Sequence, residues 1–98
     1  MPGAIVRIGG KIVPSVTSVL NTATAIPATS ATGRISLIVT NEGSNTVYIG
    51  DSTVTAGPAG NGTPLEPSEK LSFDIKQEVV LYGRTVSGTS NVKSLEGV

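Results

Sequence analysis

From Lys70 to Lys76 the chain alternates without a break. Leu71, Phe73 and Ile75 are apolar, while Lys70, Ser72, Asp74 and Lys76 are polar or charged. Successive side chains of a β-strand point to opposite faces, so a period of two specifies a strand with one dry face and one wet face. Such a strand needs neighbours to cover its dry face and to pair its backbone, which commits the chain to sheets.

Other segments read the same way. In Arg34 to Thr40, Ile35, Leu37 and Val39 share one face, and Ile38 lies on the other, where it meets a neighbour or a second layer. Thr46 to Gly50 sets Val47 and Ile49 inward with Tyr48 opposite. Val79-Val80-Leu81-Tyr82 is a short apolar run, the pattern of a strand buried on both faces. A weaker strand spans Asn91 to Glu96. Turn-forming clusters at Asn41–Asn45, Gly50-Asp51, Ala56–Gly62 and Ser87–Ser90 separate these runs at intervals of roughly ten residues, the spacing of a sandwich or barrel. The expected fold is all-β, a single antiparallel β-sandwich, jelly-roll-like or Ig-like, of about seven to eight short strands. Pro67-Ser68-Glu69-Lys70 allows a helical turn and no long helix.

The first 32 residues are different in kind. Gly9-Gly10 and Pro14 interrupt them, Pro14 to Val19 alternates, and Asn21 to Thr32 is small and polar. Residues 1–32 are therefore expected as an N-terminal extended arm or edge strand, and residues 33–98 as the sandwich core.

Composition limits the chemistry. Hydrophobic residues make up 38% and aromatics 3%, with one Phe and no Trp, so the core is built from Val, Ile, Leu and Ala. A core that thin favours help from oligomerisation or docking. With no Cys and no His, the chain cannot by itself build a disulfide, a thiol nucleophile or a Ser-His-Asp triad. A metal would have to be held by oxygen alone. The net charge is zero but unevenly spread: residues 1–40 carry Arg7, Lys11 and Arg34 and no acid, and residues 41–69 carry Glu42, Asp51, Glu66 and Glu69 and no base. That segregation suits head-to-tail contact between neighbours. The chain has no basic cluster with interleaved aromatics for nucleic acid and no 18-residue apolar stretch for a membrane. No leader of signal-peptide form opens it, so it is expected to be made in the cytoplasm of its host.

Three motifs come close to function and fall short. Gly83 to Ser90 approaches a phosphate-binding loop, but Thr89 stands at the lysine position, and a turn between strands is the better reading. The scattered acids and Asn41, Glu42 and Asn45 lack calcium-loop spacing; their oxygens fit turns that bond their own backbone. Asn61-Gly62-Thr63 matches a glycosylation sequon.

The stretch from about residue 31 onward carries a series of short motifs. They are Arg34-Ile35-Ser36-Leu37, Asn41-Glu42-Gly43-Ser44, Val47-Tyr48-Ile49-Gly50, Val54-Thr55-Ala56, Leu65-Glu66-Pro67, Leu81-Tyr82-Gly83 and Ser87-Gly88-Thr89. In this pattern the chain resembles small virion accessory proteins of tailed bacteriophages. One departure is Ser68, which follows Pro67 where a turn glycine is expected. The resemblance implies a non-enzymatic virion structural protein without cofactor or metal. Its leading form is a capsid decoration or cement protein that binds the assembled major-capsid lattice as a homotrimer on the virion surface. The alternative is a tail or head-fibre accessory that binds host-surface carbohydrate. Arg7, Lys11, Arg34 and Tyr48 are the expected contact residues, the basic three toward a capsid or subunit neighbour and Tyr48 as an outward anchor.

Overall fold

The computed structural model describes residues 9–98. Eight strands follow one another: β1 (Ile12–Val19), β2 (Thr24–Ile26), β3 (Ser36–Asn41), β4 (Val47–Gly50), β5 (Thr63–Leu65), β6 (Lys70–Phe73), β7 (Leu81–Arg84) and β8 (Ser90–Gly97). Among the described residues there is no helix. Two four-stranded antiparallel sheets result, sheet A in the order β1-β8-β3-β6 and sheet B in the order β2-β7-β4-β5.

The pairings β1 with β8, β2 with β7, β3 with β6 and β4 with β5 are the rungs of one long hairpin whose tip is the β4–β5 connection. Two further pairings, β3 with β8 and β4 with β7, close the rolled hairpin into its two sheets. This geometry explains why the chain alternates between layers and why its first and last strands lie side by side.

The inner faces share one core. Val19, Leu37, Val39 and Val92 come from sheet A, and Ile26, Val47, Ile49, Leu65 and Leu81 from sheet B. Leu71, Phe73 and Ile75 pack partly buried against it, on the face their alternation assigns. Gly83 faces this core from β7. A Cβ there would stand 2.6 Å from Ile26 Cδ1 and 2.8 Å from Val47 Cγ1, so only glycine lets the sheets close at this point.

Several sequence expectations change. The run Val79 to Tyr82 is not a strand buried on both faces: Val79 is 56% exposed, and the strand begins at Leu81. Its apolar character misled because Val79 lies in a turn, its amide donating to Lys76 O at 3.1 Å. Ile35 lies outside its strand and is exposed. The segment 91–96 belongs to an eight-residue strand held on both sides, by β1 and by β3. Its weak apolar pattern follows from what it buries, since Ser90, Ser94 and Glu96 point inward along with Val92. In the N-terminal part, β1 and β2 are edge strands, one on each sheet. Val19 and Ile26 are fully buried, so the core is not confined to residues 33–98.

Among the described residues every buried side-chain nitrogen and oxygen has a hydrogen-bond partner except Arg34 Nε. Asn41 uses its whole amide: Nδ2 donates to Asn45 O at 2.8 Å and Leu65 O at 2.9 Å, while Oδ1 accepts from Gly43 N at 3.0 Å and Ser90 Oγ at 2.8 Å. One side chain thereby fixes the β3–β4 turn and ties sheet A to sheet B.

Candidate functional site

The outer face of sheet A follows from strand parity. The residues of β1 that do not point at the core are Ile12, Pro14, Val16 and Ser18; those of β8 and β3 include Lys93, Leu95, Ile38 and Thr40. Register places them in two rows. Pro14, Leu95, Ile38 and Ser72 stand across the four strands in one, and Val16, Lys93, Thr40 and Lys70 in the next. Between the rows runs an open groove of about 630 Å³. Its floor is Pro14, Val16, Ile38 and Leu95, and Lys70 and Lys93 flank it. Val16 is 61% exposed. Ile38, the residue expected to meet a neighbour or a second layer, lies here with no layer of the described residues above it.

The two lysines are the only charged residues on this face within the four strands. Among the described residues the one ion pair is Arg34 with Glu96, so neither lysine has a carboxylate partner there. An apolar floor with two unpaired cations beside it can bury area against a partner and orient it by charge.

The four contact residues expected from sequence do not meet in one place. Arg7 lies outside the described residues. Lys11 is exposed at the end of sheet A, where its backbone pairs with Val98. Tyr48 faces outward as expected, but from sheet B, and is half-buried. Arg34 is 1% exposed, so it offers no surface to a neighbour. Its Nη1 lies 3.2 Å from Glu96 Oε2, and its Nη2 donates to the carbonyls of Lys76 at 3.0 Å and Val79. Glu96 Oε2 also accepts from Ala31 N at 2.8 Å. Sequence gave no warning of this burial, because the partner lies 62 residues away. The signal that could have found the groove is the outward pair Lys93 and Leu95, legible once β8 is known to be a central strand.

The remaining motifs have structural roles. Gly83 to Ser90 runs from the end of β7 through the connecting loop into β8, with Thr85 Oγ1 donating to Gly88 O at 2.7 Å. Glu42, Asp51, Glu66 and Glu69 do not converge: among the described residues no group of three or more metal-ligating side chains forms. Asp51 accepts from the Thr53 hydroxyl at 2.6 Å and amide at 2.8 Å, and these bonds hold its carboxyl below the usual carboxylate range. Asn61 of the sequon is bonded across its loop, its Oδ1 accepting from Thr55 N at 2.9 Å.

Comparison with protein-family models, with curated proteins and with solved structures finds no match to this chain.

Proposed function

We propose that this chain is a non-enzymatic virion structural protein, a capsid decoration protein that docks on an assembled lattice through the outer face of sheet A. The resemblance of residues 31 onward to phage virion accessory proteins supplies the class. The groove over Pro14, Val16, Ile38 and Leu95 is the observation that carries the reading, because it offers apolar area and unpaired charge together. The strand order, a long hairpin rolled into two sheets, supports the jelly-roll-like form over the Ig-like one. In this reading the protein acts as a homotrimer on the capsid surface after synthesis in the host cytoplasm. Each copy contacts more than one capsid subunit. A protein that binds the assembled shell and not free subunits shifts the equilibrium toward the intact shell by mass action.

The test is co-sedimentation with shells assembled from the capsid protein of the virus that carries the chain, with unassembled subunits as control. Binding to shells alone, weakened at least tenfold by Val16→Asp with Leu95→Asp, supports the proposal. Equal binding to free subunits, or full occupancy by the folded double variant, overturns it. Light scattering on the unbound protein reads the trimer directly.

A further inference from the structure

A second concave surface lies on the opposite sheet. On the outer face of sheet B, register sets Tyr48 between Pro64 and Arg84. Beside the Tyr48 ring, between the start of β4 and the β7–β8 loop, is a groove of about 220 Å³ lined by Asn45, Thr46, Tyr48, Val86 and Ser87. This is smaller than the roughly 300–1,000 Å³ of a drug-sized cleft and has the scale of a single ring.

The chemistry of the lining is specific. Asn45 Nδ2 donates to Thr89 O at 2.8 Å, which leaves the amide oxygen as the acceptor of that side chain. Thr46 Oγ1 donates to Glu66 Oε1 at 2.6 Å, which leaves its lone pairs to accept. Ser87 is exposed and makes no side-chain hydrogen bond among the described residues, so its hydroxyl serves in either role. The β4–β5 loop packs closely at the base of Tyr48: its Cβ lies 2.6 Å from where a Cβ on Gly62 would stand, so only glycine fits there. An aromatic side chain with hydrogen-bond acceptors and a hydroxyl beside it matches a ligand with one C–H face and a rim of hydroxyl donors. The Glu66 carboxylate beside Thr46 disfavours anions.

We propose that this groove is a subsite for one ring of a neutral carbohydrate, with Tyr48 as the stacking face and Asn45, Thr46 and Ser87 as its hydrogen-bonding edge. The site is independent of the docking face on sheet A, and each can fail without the other.

The composition provides its own probe. The chain has two tyrosines and no Trp, and Tyr48 and Tyr82 both face outward from sheet B. Tyrosine emission of the full chain is followed on titration with neutral oligosaccharides of glucose, galactose, mannose and N-acetylglucosamine, with sialyllactose as an anionic probe. The expected result is a saturable change with at least one neutral series and weaker binding of sialyllactose than of lactose. By calorimetry, Tyr48→Ala lowers affinity about tenfold, the scale of one lost stacking contact. Ser87→Trp, a filling substitution at an exposed loop position, abolishes binding without touching the core. Lys93→Glu on the other sheet leaves it unchanged. No saturable signal from any neutral series at millimolar concentration overturns the proposal. So does unaltered affinity in folded Ser87→Trp, or tighter binding of the anionic probe.

Discussion

Ser68 sits at φ 73°, in the left-handed region that side chains with a Cβ disfavour. It follows Pro67 in a turn closed by Glu69 N donating to Glu66 O at 2.9 Å, and its own amide donates to Asn41 O at 2.7 Å. Proline before a residue of positive φ is the type II pattern, and glycine is the usual second central residue. The position where the phage-like pattern expects glycine therefore has a glycine-type backbone, occupied by serine. Ser68→Gly is expected to stabilise the fold by about 1 kcal/mol, the typical penalty of a non-glycine residue in this region. The check is the urea midpoint at unchanged slope.

The Arg34–Glu96 pair behaves differently, because neither group can reach water. A buried pair adds little over an apolar replacement, yet breaking it strands a charge. Glu96→Gln is expected to cost about 3 kcal/mol or more in urea unfolding. Replacing both, as Arg34→Met with Glu96→Leu, recovers only part of the loss. The reason is that the Ala31 amide and the Lys76 and Val79 carbonyls lose their partners as well. Asp51 has a milder dependence. Its folded carboxyl titrates below the unfolded one, so its contribution is present above the unfolded value and is lost as pH falls through the folded value. Carboxyl NMR should place the Asp51 midpoint below that of an ordinary aspartate, and Thr53→Val should raise it.

At the scale of elements, the sheet edges show how the fold avoids uncontrolled pairing. Three of the four edge strands, β2, β5 and β6, have only three or four residues, and β5 carries Pro64. The fourth, β1, has eight residues and no charge, which makes it the template another chain would choose. Lys11 and Val98 exchange both backbone bonds, so the odd positions of β1 face β8 and the even ones face the free edge. Pro14 is even. Its missing N–H costs no bond to β8 and removes a donor from the middle of the open edge. Pro14→Thr is expected to leave the fold intact and to promote self-association, read by light scattering as a mass that grows with concentration. A concentration-independent mass would show that Pro14 does not guard the edge.

At the scale of the whole molecule, the rolled hairpin makes the N-terminal third part of the body. β1 and β2 form one edge of each sheet and contribute Val19 and Ile26 to the core. A chain beginning at residue 33 should therefore lose its folded circular dichroism. Ile26→Ala should cost about 2–5 kcal/mol, the range for a large aliphatic core residue. Val16→Ala, at 61% exposure, should be close to neutral. That contrast separates what holds the protein together from what it leaves at the surface.

Local alternation was enough to place the inward residues of β3, β4 and β6, because strand parity depends only on neighbours in the chain. It also set Tyr48 outward, while turn chemistry assigned the oxygens of Asn41 and Asp51 to turns. The sequence by itself thus determined an all-β chain, the faces of its strongest strands and the turns between them. Tertiary structure decided the rest. β8 reads weakly because its inward side chains are Ser, Val, Ser and Glu, and their burial is made possible by partners such as Ser15 and Arg34, more than sixty residues away. Arg34 looked like a surface cation for the same reason. The groove on the outer face of sheet A needs residues from β1, β3, β6 and β8 side by side, an adjacency produced by long-range antiparallel pairing.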